Sequence, residues 1–401
     1  MKTKIYSATT SVSEEFFNSA LKADFDYLWA RTDTAINAIQ KIGFGSLISH
    51  ETFGSERISE LENWWHNVSH ETSEKITAFS SISFDAESNW GAKLTIPDFL
   101  LEKTSTGFTL TSYSLTEKNI ELATKSLYQT AGKYQLVDTS LSDIDWKQIV
   151  AKAVNAMKNG ELEKVVLSRN LSYKADTEVF PNAVAQKLLA DYPQCWTYQY
   201  ENFVGATPEL LIEIQNNKAK ARVLAGTQAR NTKNGKEILI NSNKEQKEHA
   251  FAVDSLVKVL EPRSTKVNVN GPFALELPNV WHLASDITAT LKAPLEILKI
   301  LEKIHPTAAV GGTPTTKAVE LIKKLENYDR GPYAGPIGWL NNAGEGQFGI
   351  GLRGGIIDGK HIELYAGGGI VVDSIPKNEL NETRAKLVPM QNALNQALNT
   401  N

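Results

Sequence analysis

CWTYQYENFVGATPELLIEI, residues 195–214, is rich in aromatic and β-branched residues. This composition is typical of a strand, a turn and a second strand. Similar strand-like runs cover residues 163–173, 218–230 and 280–291. Helical patterns do not alternate strictly with these strands, so a regular βαβ arrangement is not expected. The sequence therefore predicts an α+β fold, with large, mostly antiparallel sheets and helices packed outside them.

Helical patterns become clear after residue 141. Ser142 and Asp145 have the spacing of a capping box, apolar residues follow at helical intervals, and Gly160 is expected to end the helix. Pro181 is typical of a first helical turn. Further helices are expected over residues 243–262 and 377–398. We expect residues 1–140 to form an N-terminal structural half and residues 141–401 a catalytic region, with one large domain as the open alternative.

The composition limits the classes of protein to consider. The 401 residues are 41% hydrophobic and 22% charged, as in ordinary globular proteins. The net charge of −4 gives no basic surface for nucleic acid, and no apolar run approaches the length that spans a bilayer. The single cysteine, Cys195, excludes an internal disulfide and favours a reducing compartment. We expect a cytoplasmic protein without nucleic-acid or membrane partners.

Two predicted helices carry glutamates three residues apart. The last one contains Glu379, Glu382 and Lys386, and SNKEQKEH, residues 242–249, contains Glu245 and Glu248. Side chains at these spacings share one helix face. Two such faces can enclose a hard divalent cation, and a lysine beside them can hold an anion. The alternative is that both faces are ordinary solvated surfaces.

Other motifs carry less chemistry. Residues 344–349 match G-x-G-x-x-G, but strand-like residues flank them, so a hairpin turn is expected instead of a dinucleotide site. GGTPTTK, residues 311–317, lacks the spacing of a P-loop. With one cysteine and no zinc-ligand pattern identified among the seven histidines, no zinc site is expected.

Lys164 lies in a valine-rich strand, EKVVLSR, where a lysine either faces solvent or serves a purpose inside the protein. A buried amine can be neutral and act as a base. Other notable positions follow along the chain, namely Glu209, the turn at residues 225–227, Arg353 and the glycines at residues 367–369. Glycines beside polar residues let a ligand approach the backbone closely.

The region from about Ser142 to Leu398 resembles the chorismate-utilising enzymes. The resemblance is carried, in chain order, by EKVVLSR, FVGATPELL, LAGTQAR, SNKEQKEH, HPTAAVGGTP, YAGPIGW and GGGIVVDSIPKNELNETRAKL. Of these, HPTAAVGGTP and YAGPIGW are most similar to the isochorismate synthases. The resemblance implies the fold of anthranilate synthase component I. It also implies a Mg²⁺-dependent conversion of chorismate to isochorismate, for menaquinone or siderophore biosynthesis.

The resemblance implies two residues for the chemical step. Lys164 matches the base that activates water for attack at C2 of the ring, and Glu209 matches the acid that protonates the departing C4 hydroxyl. Lys164 must be neutral and Glu209 protonated for these roles. A closed pocket of low dielectric constant favours both states.

The same resemblance implies a binding shell. Glu248 and Glu382 match the metal ligands, with Glu245 and Glu379 in the next layer or bound through water. Positions that match substrate-binding residues are Gly226, Thr227, His282, Tyr333, Arg353, Gly367 and Lys386. Within this shell, Arg353 and Tyr333 would hold the enolpyruvyl carboxylate of the substrate. A dianionic substrate suits a site that combines a metal ion with cationic side chains.

One departure distinguishes the subfamilies. Aminodeoxychorismate synthases carry a nucleophilic lysine just before the Gly-Thr turn, whereas this chain has Ala225 there, so water is the expected nucleophile. Anthranilate synthase components work with a glutaminase, and no obligatory glutaminase partner is expected here. A salicylate synthase, which eliminates pyruvate after the same first step, stays open, as does a catalytically silent protein that binds an anionic metabolite.

Overall fold

The computed structural model describes residues 4–33, 40–104, 106–116, 122, 129–230, 232–277, 280–292 and 296–399. These residues include nine α-helices: α1 Glu14–Ala20, α2 Arg57–His70, α3 Asp143–Lys158, α4 Pro181–Asp191, α5 Gly235–Asn241, α6 Asn243–Leu260, α7 Ile297–Ile304, α8 Thr315–Glu326 and α9 Pro376–Leu398. No helix in this part of the chain is long and apolar enough to cross a membrane.

The described residues also form twenty-one β-strands. Those before residue 141 are β1 Tyr6–Val12, β2 Tyr27–Ala30, β3 Gln40–Phe44, β4 Ile48–Thr52, β5 Thr77–Ile82, β6 Ala92–Ile96, β7 Phe99–Thr104, β8 Gly107–Ser114 and β9 Tyr134–Thr139. Those after it are β10 Lys164–Ala175, β11 Trp196–Tyr200, β12 Phe203–Thr207, β13 Leu210–Gln215, β14 Lys218–Ala229, β15 Ser264–Glu276, β16 Val280–Leu291, β17 Gly312–Thr313, β18 Pro336–Asn341, β19 Gly346–Ile350, β20 Gly354–Asp358 and β21 His361–Ile370.

The strands assemble into two sheets with antiparallel pairing. The larger sheet has the order β1-β8-β7-β3-β2-β11-β12-β20-β21-β10-β17, with β9 also paired to β10. The smaller has the order β15-β16-β14-β13-β19-β18-β5-β6-β4. The predicted α+β fold with large antiparallel sheets is therefore confirmed. Both sheets combine strands from before and after residue 141.

The two sheets pack face to face through large side chains. Trp29 of the larger sheet donates its indole N–H to Gln347 of the smaller one, with nitrogen and oxygen 2.8 Å apart. Tyr27 stacks on Phe79 across the same interface, with ring centroids 5.3 Å apart. Leu28 lies between Tyr27 and Trp29 in β2 and belongs to a separate core on the outer face of the larger sheet. This alternation arises because successive strand residues point to opposite faces.

Helices cover the outer faces. α4 and α9 contribute Leu188 and Leu394 to the core on the outer face of the larger sheet. α6 packs on β14 and β16 of the smaller sheet. The cap predicted at Ser142 is present, because its hydroxyl accepts a hydrogen bond from the Asp145 amide at 3.2 Å. α3 ends just before Gly160, which has φ +74° and needs the freedom of glycine.

Residues 195–214 differ from the expected strand, turn and strand. They contain three strands: β11 and β12 form a hairpin in the larger sheet, and the chain then crosses to β13 in the smaller sheet. The crossing lies at Pro208 and Glu209. A return crossing between β19 and β20 contains Arg353, whose φ is +50°. The crossings are joined by the hydrogen bond from the Ala206 amide to the Arg353 carbonyl at 3.2 Å.

Candidate active site

A small cavity lies beside these two crossings. Its volume is about 70 Å³, which is well below the few hundred Å³ of a typical ligand pocket. A ligand with a ring must therefore displace lining side chains. The sequence-predicted residues that line the cavity are Glu209, Gly226, Thr227, Glu248, His282, Tyr333, Arg353, Gly367 and Lys386.

Lys164 lies at the start of β10 and is fully buried. Its Nζ is 3.4 Å from Oε1 of Glu248 and donates no hydrogen bond among the described residues. The alternative that Lys164 is an outward-facing strand residue is therefore wrong. A buried amine that donates no hydrogen bond can exchange a proton with a molecule placed against it.

Glu209 lies where the chain leaves the larger sheet, and it is 4% exposed. Burial raises the pKa of this carboxyl to about 8, against the opposing influence of Lys164 and the Leu224 amide. Near neutral pH the carboxyl therefore keeps its proton and can donate it. Glu209 lies between β12 and β13, where the chain changes sheets. Its side chain is therefore not confined to one face of a sheet, as that of a residue inside a strand would be.

His282 on β16 connects Thr227 to Arg353. Nη2 of Arg353 lies 2.6 Å from Nε2 of His282, and Nδ1 lies 3.0 Å from the Thr227 hydroxyl and 3.3 Å from the Gly226 carbonyl. Because a guanidinium only donates, Nε2 accepts and Nδ1 carries the ring proton. Burial and then the charge of Arg353 hold the pKa of His282 well below its ordinary value. The imidazole is therefore neutral and fixes the orientation of Arg353.

Lys386 on α9 also lines the cavity. Its ammonium donates to the Gly367 carbonyl at 2.9 Å and to Oε1 of Glu382 at 2.6 Å. Tyr333 stacks on Tyr365, with ring centroids 5.2 Å apart. A Cβ at Gly367 would lie 3.2 Å from the Tyr333 hydroxyl and 2.5 Å from the Leu167 carbonyl. Glycine at this position therefore keeps the strand and the tyrosine in close contact.

The four predicted glutamates converge from α6 and α9. Glu382, Glu379 and Glu245 line a second cavity of about 450 Å³, which shares Thr227 with the first. Glu245 accepts the Thr227 amide at 2.9 Å. Glu248 is buried next to Gly369, where an added Cβ would lie 2.1 Å from its Oε1. The alternative of two ordinary solvated helix faces is therefore wrong.

The carboxylates differ in how readily they ionise. Burial, and then the charges of neighbouring glutamates, raises the pKa of Glu245 and of Glu379 to about 7. Burial also disfavours the charge on Glu382, but Lys386 and Lys244 outweigh burial and keep its pKa below the ordinary value. Crowded carboxylates of this kind gain stability from a nearby cation.

Two further features of the site have weak signals in the sequence. Lys244 lies between Glu245 and Glu379, but a lysine in a polar helix is usually a solvated residue. Arg330 and Glu326 form a buried bidentate pair, with the Nε and Oε2 atoms 2.8 Å apart. Glu326 also accepts the Ser168 amide at 2.6 Å, which joins β10 to the loop before Tyr333. Only the spacing of four residues between Glu326 and Arg330 hints at this pair.

The remaining motifs have the following outcomes. Residues 344–349 begin in the turn of the hairpin formed by β18 and β19 and continue into β19, so the predicted hairpin is present. Cys195 is buried, and burial raises the pKa of its thiol to about 11. The sequence interpretation missed one histidine pair: His66 and His70 lie one turn apart on α2, with Nε2 atoms 2.9 Å apart. Across the described ranges, no three His, Cys, Asp or Glu side chains are arranged to hold a metal ion as they stand.

Comparisons with known proteins identify curated relatives of this chain. The isochorismate synthase MenF of Bacillus subtilis is 35% identical over 260 residues, which cover 62% of this chain and 55% of that protein. Anthranilate synthase component 1 of Saccharolobus solfataricus is 30% identical over 273 residues, covering 65% of each chain. This chain therefore spans only about half to two thirds of the length of these curated relatives.

The fold is also known from solved structures. The menaquinone-specific isochorismate synthase MenF from Escherichia coli superposes with a TM-score of 0.81 and 21% identity, covering 97% of this chain and 94% of that one. At this identity the likeness concerns the fold. The family model described as "chorismate binding enzyme" matches residues 3–395. Because this match covers nearly the whole chain, the protein belongs to the chorismate binding enzyme family.

Proposed function

We propose that the protein is a Mg²⁺-dependent isochorismate synthase that adds water at C2 of chorismate and releases the C4 hydroxyl. The observation that carries the proposal is a buried amine and a protonated buried carboxyl close enough to interact: Glu209 lines the cavity, and Lys164 contacts Glu248 of the cavity lining. Hydroxyl exchange on a ring needs a proton acceptor and a proton donor. A protein that only binds a metabolite needs neither.

The proposed chemical step uses both residues. Neutral Lys164 takes a proton from water as the water oxygen bonds to C2. The ring double bond shifts, the C4–O bond breaks, and Glu209 gives its proton to the departing hydroxyl, which leaves as water. One water is consumed and one is released, so the substrate and product are isomers. The raised pKa of Glu209 supports the donor role, because the carboxyl holds its proton near neutral pH.

The four glutamates suit Mg²⁺. Their oxygens are hard donors, and among the described residues Oε2 of buried Glu379 has no hydrogen-bond partner. We assign Glu248 and Glu382 as ligands, with Glu245 and Glu379 next to them or bound through water. A magnesium ion bound there would hold the ring carboxylate of the substrate and offset its negative charge.

The cationic and neutral polar groups around the cavity suit the second carboxylate of the substrate. Arg353, with its orientation fixed by His282, can form paired hydrogen bonds with a carboxylate, and Tyr333 lies beside the same cavity. Lys386 adds a further charge. Gly226 has φ +90°, which allows the turn before Thr227 to present its backbone at the cavity.

Salicylate synthase is the second candidate, because it shares the same site residues and adds pyruvate elimination. Anthranilate synthase is the third candidate, and its components work with a glutaminase. Because water is the proposed nucleophile here, we propose that this chain acts without that partner. We also propose that it works in the cytoplasm and that its strands form one structural unit, since both sheets mix N-terminal and C-terminal strands. The pathway that uses the product is open between menaquinone and siderophore synthesis.

A product assay tests the proposal. Purified protein is incubated with chorismate and MgCl₂, with ammonia in a parallel reaction, and the products are separated by chromatography. Isochorismate without pyruvate supports the proposal. Equimolar pyruvate and salicylate would identify a salicylate synthase, and anthranilate formed with ammonia would identify an anthranilate synthase. Chorismate binding without turnover would show instead a catalytically silent protein that binds an anionic metabolite.

A further inference from the structure

Lys244 lies among the four glutamates and has no role in the reaction proposed above. Its Nζ is 3.0 Å from Oε1 of Glu379 and 3.2 Å from Oε1 of Glu245. Glu379 belongs to α9 and Glu245 to α6, so one ammonium joins the two helices. The Lys244 side chain is 22% exposed, whereas that of Glu379 is 2% exposed. The ammonium therefore reaches inward from the rim of the cluster.

The other two glutamates have cationic partners of their own. Glu248 lies 3.4 Å from Nζ of Lys164, and Glu382 lies 2.6 Å from Nζ of Lys386. Both of these lysines also contact the cavity or its lining. Lys244 differs because its ammonium contacts two carboxylates of the cluster, one from each helix. Its position is the one that a cation shared by both helices would take.

The side chain of Lys244 also has space to move. It lines the 450 Å³ cavity on the glutamate side and a separate cavity of about 410 Å³ on its other side. Asp373 lines the same two cavities and offers an acceptor at their common wall. A lysine has a flexible four-carbon stem, so its ammonium can pass from one cavity to the other by side-chain rotation.

A divalent cation held by Glu248 and Glu382 would lie close to the Lys244 ammonium, whose charge interacts with all four glutamates. Two positive charges a few ångströms apart repel strongly where water is scarce. Metal binding would therefore favour movement of the ammonium away from Glu245 and Glu379. The energy of its two ion pairs opposes metal binding and lowers the affinity of the site.

We propose that Lys244 is a displaceable counter-ion of the metal site. Without a divalent cation it holds Glu245 and Glu379 together, and when Mg²⁺ binds it moves into the adjoining cavity. It thereby sets the Mg²⁺ concentration at which the site fills. This inference rests on the proposed Mg²⁺ site and adds a positioning residue to it.

The test compares Mg²⁺ affinity in three variants by calorimetric titration without chorismate. Lys244→Met removes the charge and keeps the length of the stem, Lys244→Arg keeps the charge, and Lys258→Met makes the same change at an exposed residue in the last turn of α6. We expect Lys244→Met to bind Mg²⁺ roughly tenfold more tightly, because no ammonium must leave. The other two variants should bind like the parent protein. Unchanged or weaker binding in Lys244→Met would overturn the inference.

Thermal melting separates this role from that of a simple structural ion pair. In EDTA, Lys244→Met should melt at a lower temperature than the parent, because its carboxylates repel each other without a counter-ion. Saturating Mg²⁺ should remove most of that difference. An equal loss in both conditions would also overturn the inference. A parent protein that binds no Mg²⁺ at all would instead contradict the metal site of the proposed function.

Discussion

The two sides of the candidate site handle charge in different ways. On the helix side, α6 and α9 present glutamates next to ammonium groups; the pKa of Glu382 lies below its ordinary value, while those of Glu245 and Glu379 are raised to about 7. On the strand side, burial is the largest influence on the pKa values. There the pKa of Glu209 is raised and that of His282 is lowered, so both groups favour their neutral forms.

The difference shows how one cavity can support two kinds of chemistry. Carboxylates with ammonium neighbours suit the binding of ions, because the neighbouring positive charge favours their ionised form. Buried groups held neutral suit proton transfer, because small changes around them move a proton. Substitutions on the strand side should therefore reduce the chemical step, and those on the helix side should change the requirement for metal.

The largest effect is expected for Lys164→Ala. Loss of the base should lower kcat by roughly 100- to 10,000-fold while the protein stays folded, as judged by circular dichroism. Lys220→Ala is the matched control, since Lys220 is an exposed strand lysine paired with Glu213. If Lys164→Ala turns over chorismate at nearly the parent rate, Lys164 is not the base.

A similar but smaller loss is expected for Glu209→Gln. Because the protonated carboxyl is the active form and its pKa is about 8, parent kcat should decline as pH rises through that value. The variant has no proton to lose at this position, so this decline should be absent from its lower activity. A pH–rate profile measured with saturating chorismate and Mg²⁺ checks this. If the variant keeps the same decline, another group causes it.

Glu382→Gln tests the helix side. The neutral amide is a weaker metal donor, so half-maximal activity should require several-fold to tenfold more Mg²⁺. Activity at high Mg²⁺ should recover in part, unlike that of Lys164→Ala. Glu320→Gln, an exposed change on α8, serves as the control. Full activity at low Mg²⁺ would exclude Glu382 from the ligand set.

The smallest effect is expected for Ser242→Ala, which removes the cap of α6. The Ser242 hydroxyl accepts the Glu245 amide at 3.3 Å, and its loss should lower the free energy of unfolding by about 1 kcal/mol. The first turn of α6 carries Glu245, so the Mg²⁺ requirement should also rise slightly. Ser142→Ala removes the equivalent cap of α3 and should cost similar stability without changing the Mg²⁺ requirement. If the two variants require the same Mg²⁺ concentration, the cap of α6 has no influence on the metal site.

The helix side was accessible from the sequence because helical spacing is a local property. Glutamates three residues apart on α6 and α9 share a face whatever the rest of the chain does. Ser142, Gly160 and Pro181 likewise marked helix ends by chemistry within one turn. The sequence alone did not establish that the two glutamate faces meet, or that Lys244 lies between them.

The strand side depended on resemblance because its geometry is not local. Composition and alternation in residues 195–214 established strands, and hence an antiparallel α+β fold, since apolar residues on pleated strands must pack against another layer. Only the tertiary structure decided that the chain changes sheets at Glu209 and returns at Arg353. Burial then set the protonation of Glu209 and His282, because desolvation depends on every neighbour that the fold brings close.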